Sequence, residues 1–281
     1  TLELSSAASD VYKRQPEDLV DRIHIVHGQD QRGTPIRQRI QRFKELGEQD
    51  IIFDLASSNR SVMTCVLNRA KLKIGFPYRK AQARLFYDVA TCRSDVNFEV
   101  NDMMNMLHVF GIKTAYPHIY NMPGEPLTRE RPYIVYFAGA STRDKCWPAG
   151  HFTELIRGMA GEYPDHDHLV LEGIQDWEHA EPILKPLQEL NNTAAVNADT
   201  VEETASLLKG ASLVVSNDTG IRHVAIVSGT PTLGIFHRDP FLYWPRYDIH
   251  DIVIPDPEWP PPVDHVIDAC LNILRATNTV T

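Results

Sequence analysis

The sequence is poor in the features that mark three classes of protein. Its four cysteines lie far apart and form no CxxC pair, which excludes a zinc knuckle or a disulfide framework and indicates reduced thiols in a cytosolic protein. Basic residues number 28 against 37 acidic ones, and the net charge of −9 is unfavourable for sequence-independent binding to nucleic acid. No apolar run approaches the ~20 residues of a transmembrane helix. We therefore expect neither a nucleic-acid partner nor a membrane-spanning segment.

What is present is an ordinary globular composition, with 43% apolar, 9% aromatic and 23% charged residues among 281. This length suits one large domain or two of about 140 residues each. Residues 1–15 (TLELSSAASDVYKRQ) have neither periodicity nor the apolar centre of a signal peptide, and they resemble a translated sequencing adapter. We expect them to be a non-native leader in front of a truncated natural chain; a genuine disordered leader is the alternative.

From residue 16 onward, strand-type apolar runs alternate with amphipathic helical patterns, which indicates βαβ units and parallel sheets. The first series, at 16–115, predicts strands at 21–26, 51–55 (buried) and 72–76, and helices at 36–46, 60–70 and 101–110. Residues 116–131 contain three prolines and no periodicity, and are predicted to be a linker. The second series, at 132–281, predicts strands at 132–137, 168–172, 213–216 and 231–236, and helices at 148–159, 200–210, 221–228 and from 263. The predicted fold is α/β, with two Rossmann-like domains.

Parallel sheets bind ligands at the carboxyl ends of their strands, and the loop at 139–148 (GASTRDKCWP) follows such an end. Its small residues permit close backbone approach, and Ser141 and Thr142 offer hydroxyls. Lys145 offers a cation beside a helix N-terminus, a combination that suits a diphosphate. The loop matches neither a dinucleotide fingerprint nor a P-loop, so a capped turn in which Trp147 only packs is the alternative.

A second candidate loop, at 216–223 (SNDTGIRH), follows the strand predicted at 213–216. Thr219 and Gly220 open a helix whose free N–H groups favour an anion. Asp218 would repel a phosphate, so we expect its carboxylate to accept hydrogen bonds from sugar hydroxyls; capping of the helix is the alternative. His223 lies one helical turn beyond Thr219 on the same side, and its role depends on these neighbours.

Two clusters of metal-type residues are weaker candidates. Residues 165–168 (DHDH) fall between a predicted helix and the amino end of a strand, which favours a solvated turn. Asp248, His250 and Asp251 alternate along a strand-like stretch and lack a fourth convergent ligand. We therefore expect no metal site and no cofactor.

Three segments together resemble the nucleotide-sugar half of glycosyltransferase family 9, the ADP-heptose:lipopolysaccharide heptosyltransferases, which have the two-Rossmann GT-B fold. These segments are 139–148, 213–223 (LVVSNDTGIRH) and 229–232 (GTPT). The first half agrees more loosely, through 50–55 (DIIFDL), Arg60 and 74–76 (IGF). The resemblance covers nearly everything from residue 16. It implies a GT-B-like fold with an incomplete N-terminal domain, since about two βα units ahead of residue 16 are missing.

The resemblance also implies roles for individual residues. The phosphates of a nucleotide-sugar donor would be held by Ser141, Thr142 and Lys145, with Lys145 stabilising the leaving group. Phosphate and sugar would be held by Asp218, Thr219, Gly220 and His223. Gln175 and Asp176 fall where the family has an acidic residue for the ribose, and they match this pattern imperfectly.

The implied reaction is metal-independent, inverting transfer of a heptose or similar sugar from an ADP-sugar. The acceptor would be a lipid-linked glycan, a lipopolysaccharide core or a related surface glycan, at the inner membrane surface, reached from the cytoplasm. The family's general base is an Asp in a Gly-Asp turn, which this sequence lacks, and Asp54 is better interpreted as a loop or helix contact. We therefore expect donor binding with little turnover. The alternatives are a non-catalytic nucleotide-sugar-binding protein and a GT-B enzyme that uses a UDP- or GDP-sugar.

Overall fold

The computed structural model describes residues 36–77, 81, 85–120, 122–238, 240–247, 249–255 and 258–278. The expected leader, the strand predicted at 21–26 and Asp248 lie outside these residues. The chain divides into two compact units, Thr1–Tyr116 and Pro117–Thr281. Each unit contains its own parallel sheet, which confirms the predicted α/β class. Among the described helices, none combines the length and the apolar character needed to cross a membrane.

The first unit has a three-stranded sheet in the order β1-β2-β3. Its elements are α1 (Ile36–Phe43), β1 (Glu48–Asp54), α2 (Asn59–Leu67), β2 (Arg69–Gly75), β3 (Val89–Ala90) and α3 (Glu99–Asn105). Short 3₁₀ turns extend α1 to Leu46 and α3 to Phe110. Gly47 and Gly111 follow these turns with φ values of 74° and 73°, a conformation that costs glycine little.

Two details of this unit differ from the sequence-based expectation. β1 was expected to be buried, but only Ile52 packs against the cluster formed by Val62 and Cys65 of α2. Ile51 and Phe53 alternate onto the other face of the strand, where they are 41% and 37% exposed. The helix predicted to reach residue 70 ends at Leu67, because Asn68 turns to an extended conformation and its side chain donates to the carbonyl of Thr64 at 2.7 Å.

The second unit has a six-stranded sheet in the order β6-β5-β4-β7-β8-β9, with every pair parallel. The strands are β4 (Tyr133–Phe137), β5 (Asp167–Leu171), β6 (Thr193–Val196), β7 (Leu213–Asn217), β8 (Thr232–Ile235) and β9 (His250–Val253). The four central strands are nearly continuous apolar runs, and their positions agree with the prediction to within one residue at most ends. The edge strand β6 was missed, since it is short and none of its residues is fully buried.

Helices cover both faces of this sheet. They are α4 (Ala149–Glu162), α5 (Glu181–Leu184), α6 (Val201–Lys209), α7 (Gly220–Val227) and α8 (Val263–Asn278). Alternate residues of β4 enter opposite cores: Ile134 and Tyr136 join the layer beneath α4 and α8, whereas Val135 joins the layer beneath α6 and α7. The apolar face of α8 is buried at Val266, Cys270 and Leu274. Burial on both faces fixes the sheet and hence the positions of its carboxyl-end loops.

Candidate functional site

The strand order of the second unit reverses between β4 and β7. From β4 the chain moves outward through β5 to β6, then crosses to β7 and moves outward the other way through β8 to β9. At such a switch point, the loops that leave the two central strands diverge and leave a crevice at the carboxyl edge of the sheet. Phe137 of β4 pairs with Ser216 of β7, so the candidate loops at 139–148 and 216–223 begin side by side.

Asn217, the last residue of β7, fastens these two loops together. Its side chain is buried, and its amide Nδ2 donates to the carbonyls of Ala138 at 2.7 Å and Gly139 at 3.2 Å. Its Oδ1 accepts a hydrogen bond from the backbone N–H of Trp147 at 3.1 Å. One side chain thus holds both ends of the 139–148 loop against β7. Trp147 itself is buried and donates through Nε1 to the carbonyl of Pro261, which agrees with a packing role.

Between these fixed ends, Ser141, Thr142 and Lys145 are exposed. The backbone N–H of Lys145 donates to the carbonyl of Thr142 at 3.1 Å, which closes a 3₁₀ turn. A hydrogen bond from the Thr142 side chain is the main cause of the lowered pKa of Asp144, so this hydroxyl is engaged within its own loop. Desolvation raises the pKa of the Asp218 carboxyl, and the charge of Lys145 is the smaller of two that oppose this rise. The loop that contains Lys145 and the 216–223 loop leave neighbouring strands at the carboxyl edge of the sheet.

The amino end of α7 has no side-chain cap. Its N-cap residue is Thr219, whose hydroxyl is buried and has no hydrogen-bond partner, so the alternative in which Asp218 caps the helix does not hold. An uncapped helix N-terminus leaves its first N–H groups without partners and carries a partial positive charge. The N–H groups that follow Gly220 and the Thr219 hydroxyl therefore form an arrangement that can accept an anion.

Two titratable side chains flank this helix end. Asp218 is half-buried, and desolvation raises the pKa of its carboxyl, while the charges of Arg222 and Lys145 oppose this rise. His223 is also half-buried and stands edge-on to the ring of Tyr243, with 6.0 Å between ring centroids. Burial, reinforced by the charge of Arg222, lowers the pKa of His223 to about 4. At neutral pH its imidazole is therefore uncharged, and it is suited to hydrogen bonding with a hydroxyl rather than to pairing with a phosphate.

A third loop, which follows β5, adjoins the first. Gln175 and Asp176 are exposed there, at the start of a 3₁₀ turn. Glu178 accepts a hydrogen bond from the backbone N–H of Gln175 at 3.0 Å, while the Gln175 side chain accepts one from the backbone of Glu178. A Cβ at Gly139 would come within 2.6 Å of Glu178 Oε1, so the loops after β4 and β5 approach closely. The residues expected at the ribose are thus held at the same edge of the sheet.

Sequence reasoning missed two residues of this region, Asn217 and Arg222. Arg222 is the third residue of α7, and it is fully buried, with Nη1 donating to the carbonyl of Tyr243 at 2.7 Å. One signal was available for it, because a cation in the first turn opposes the helix dipole. Asn217 carried no comparable signal, since an Asn after a strand is common in any loop.

His168 and His250, one from each of the two metal-type clusters, are engaged in hydrogen bonds with neighbouring hydroxyls. Asp165 and His166 lie in a turn, as was expected, and β5 begins one residue before the predicted strand, at Asp167, so His168 belongs to the strand. It is fully buried against the hydroxyl of Tyr136, 2.9 Å from Nδ1, and burial lowers its pKa to about 4. His250 likewise lies in β9 and pairs with the Thr232 hydroxyl at 2.9 Å. Within the described residues, no group of three His, Cys, Asp or Glu side chains could hold a metal ion.

In the first unit, the Asp54 side chain forms hydrogen bonds with neighbouring residues of the same unit. Its carboxylate accepts hydrogen bonds from the backbone N–H groups of Ala56 and Ser57, at 3.2 and 2.7 Å, and from the Tyr87 hydroxyl at 2.7 Å. The residue is only 4% exposed. This agrees with its interpretation as a loop contact, because the carboxylate is buried and its oxygens already accept from three donors of the same unit.

Comparisons with known proteins agree with this architecture. The chain is 30% identical over 106 residues to lipopolysaccharide heptosyltransferase 1 of Salmonella typhimurium, a match over 37% of this chain and about a third, 32%, of that relative. The structure of E. coli heptosyltransferase WaaC with ADP superposes with a TM-score of 0.68 at 19% identity, over 89% of this chain and 83% of that one. For E. coli ADP-heptose lps heptosyltransferase II the TM-score is 0.68 at 15% identity, over 98% and 89%. These similarities confirm the predicted GT-B-like fold.

A family model for glycosyltransferase family 9 (heptosyltransferase) matches residues 39–265, and the chain therefore belongs to that family.

Proposed function

We propose that this protein takes part in the transfer of a heptose, or a similar sugar, from an ADP-sugar to a glycan acceptor. Membership of glycosyltransferase family 9 supports the reaction class. The names of similar proteins support the donor, because one solved relative is described with ADP and another as an ADP-heptose enzyme. By the same likeness, the acceptor is a lipopolysaccharide core or related lipid-linked glycan at the inner membrane surface, approached from the cytoplasm.

One observation carries the proposal: Asn217 binds both ends of the 139–148 loop to β7. Because of this attachment, the loop that carries Lys145 and the segment that leads into the uncapped end of α7 leave the sheet side by side at its switch point. A diphosphate carries charge on both phosphates, and it suits a site that offers a mobile cation on one side and backbone N–H groups on the other. The proposed donor-binding residues are Ser141, Thr142, Lys145, Gln175, Asp176, Asp218, Thr219, Gly220 and His223.

The chemistry that this site would support is a single inverting displacement. The acceptor hydroxyl oxygen bonds to the anomeric carbon as the bond from that carbon to the diphosphate oxygen breaks, and the electron pair leaves with ADP. A carboxylate base takes the proton of the hydroxyl. Lys145 and the N–H groups that begin α7 stabilise the charge that develops on the diphosphate, a task that many enzymes give to a divalent ion. The uncharged imidazole of His223 and the carboxyl group of Asp218 are available to the sugar hydroxyls.

Titration with ADP tests the donor part of the proposal directly. We expect ADP to bind more tightly than UDP or GDP, with an affinity that excess EDTA leaves unchanged. Absence of ADP binding to a folded sample would contradict the proposal. A preference for UDP or GDP would show that the donor is a UDP- or GDP-sugar and not an ADP-sugar.

Lys145→Ala tests the role of the ammonium. In an enzyme that carries the family's Gly-Asp turn, removal of this one preorganised charge stabiliser is expected to lower the transfer rate about 10²-fold, and in this chain it should weaken ADP binding. Lys185→Ala is a matched control, because Lys185 is an exposed lysine on the protein surface paired with Glu181 at 3.7 Å. Transfer by Lys145→Ala within a few-fold of the unchanged protein would remove Lys145 from the mechanism.

A non-catalytic nucleotide-sugar-binding protein is the second candidate. It is favoured by the state of Asp54, whose carboxylate is buried and already accepts three hydrogen bonds. A transfer assay with ADP-heptose and a heptose-deficient lipopolysaccharide separates the two candidates. ADP binding with sugar transfer supports the enzyme. ADP binding without transfer supports the binding protein where the coding sequence ahead of residue 16 also encodes no strand followed by a Gly-Asp turn.

A further inference from the structure

A buried and incompletely paired cation, Arg222, lies in the first turn of α7, the helix that begins at the candidate donor site. The Arg222 side chain is 0% exposed. Of its guanidinium nitrogens, Nη1 donates to the carbonyl of Tyr243 at 2.7 Å, whereas Nε and Nη2 are buried without a hydrogen-bond partner. Burial lowers the pKa of Arg222 only to about 10, so the group remains charged at neutral pH. An unpaired buried charge is among the costliest features of a protein interior, and it calls for a compensating anion.

The surroundings of Arg222 are shaped to keep the guanidinium in place. Its carbon Cζ lies over the ring of Phe236, 4.9 Å from the centroid, in cation–π geometry. A Cβ added to Gly234 of β8 would stand 2.4 Å from Nε, so the absence of a side chain there leaves room for the arginine. A glycine on a buried strand, an aromatic face and a backbone carbonyl thus all accommodate one charged group.

The charge of Arg222 acts on the donor site. Asp218 precedes it by four residues, and each raises the tendency of the other to be ionised. No carboxylate in the described part of the chain lies within 4 Å of the guanidinium, so its neutralisation is partial. Arg222 also lies in the first turn of α7, where its charge adds to the positive end of the helix dipole. Without a ligand this arrangement is unfavourable, and an anion at the start of α7 would relieve it.

We propose that Arg222 supplies a fixed, buried positive charge that strengthens binding of the donor diphosphate at the amino end of α7. This inference rests on the proposed function, since the diphosphate is the anion concerned. Arg222 acts through the field inside the protein, as a positioning residue beneath the ligand, while Lys145 acts from the exposed side. Because the guanidinium is shielded from water, its effect on a phosphate is larger and less sensitive to salt than that of an exposed lysine.

A purely structural role is the competing explanation, because Arg222 also joins α7 to the segment that contains Tyr243. The two roles differ in their dependence on ligand charge. A structural defect weakens binding of every ligand of the site alike. Loss of a charge weakens binding of ADP more than that of AMP, and leaves binding of uncharged adenosine almost unchanged.

The experiment is calorimetric titration of the wild-type protein, Arg222→Met and Arg222→Lys with ADP, AMP and adenosine. We expect Arg222→Met to weaken ADP binding about tenfold, with a smaller effect on AMP and none on adenosine. Arg222→Lys keeps the charge and should bind ADP within about threefold of wild type. Equal weakening for ADP and adenosine, or no weakening for either, overturns the inference while leaving the proposed function intact.

Failure of the wild-type protein to bind ADP would instead overturn the proposed function and this inference together. A second measurement does not depend on how Arg222→Met folds. Lys145→Ala in about 0.5 M NaCl lacks the exposed cation and has surface charges screened, so any remaining preference for ADP over adenosine comes from the N–H groups that begin α7 and from Arg222 together. We expect that preference to persist at about tenfold, and its disappearance would refute a role for the buried charge.

Discussion

Replacement of Asn217 by alanine provides the most direct test of how the candidate site is built. The Asn217 side chain makes three hydrogen bonds, to the backbones of Ala138, Gly139 and Trp147, and is 1% exposed. Each such bond contributes about 1 kcal/mol net, and the backbone groups left behind have little access to water. We therefore expect Asn217→Ala to lower the free energy of unfolding by about 3 kcal/mol.

The same substitution should weaken ADP binding by about tenfold, because it releases both ends of the loop that carries Lys145, and a misplaced charge stabiliser loses much of its effect. Urea unfolding gives the first quantity and calorimetric titration with ADP gives the second. Asn217→Asp sharpens the test: its carboxylate can still accept from the Trp147 N–H, but it cannot donate to the two carbonyls. We expect it to be at least as damaging as Asn217→Ala.

Thr230→Val is the matched control for a loss of stability alone. The Thr230 hydroxyl is buried and donates to the carbonyl of Leu208 at 2.8 Å. Thr230 lies just before β8, at the amino ends of the strands and so away from the candidate site at their carboxyl ends. Its removal should cost about 1 kcal/mol and leave ADP binding unchanged. If Asn217→Ala loses about 3 kcal/mol yet binds ADP like the wild type, the attachment of the loop does not determine the site and the reasoning fails.

Two further predictions concern the loop after β5 and the buried histidines. Gly173→Ala would bring a Cβ within 2.2 Å of Glu178 Oε2, so it should displace that side chain and weaken ADP binding several-fold by titration, unless Gln175 and Asp176 do not contact the nucleotide. Burial lowers the pKa of His168 and His250 from 6.5 to about 4. Between pH 6.5 and pH 4, these side chains are therefore protonated in the unfolded protein but not in the folded one. Stability is therefore complete above pH 6.5 and falls as the pH drops towards 4, by about 2 kcal/mol for each histidine at pH 5. Urea unfolding at pH 7.5 and pH 5 measures this, and equal midpoints would contradict it.

The sequence allowed much of the fold to be predicted, and the successes share a cause. β4, β5, β7 and β8 are apolar along their length because helices cover both of their faces, so their position could be identified without knowledge of their partners. The helix predicted at 200–210 begins with a capping box between Thr200 and Glu203, a signal that likewise acts within four residues. The strand β6 could not be identified in the same way, because an edge strand that is half-covered needs no apolar run. The prediction that β1 is buried was wrong at Phe53 for a related reason. An apolar run indicates a strand, but it does not show whether another element covers that strand.

The residues of the candidate site also fall into two groups, those that local sequence patterns could predict and those that they could not. The loops that contain Lys145 and Thr219 could be located because the carboxyl ends of parallel strands, and the open end of a helix, have fixed directions once the order of elements is known. Asn217 and Arg222 could not be assigned in this way, because each acquires its role from groups distant in sequence: Asn217 from carbonyls 78 and 79 residues earlier, Arg222 from a carbonyl 21 residues later. A buried polar side chain is informative only through its partners. For Arg222 the decisive fact is that two of its nitrogens have none, and this is visible in the folded protein alone.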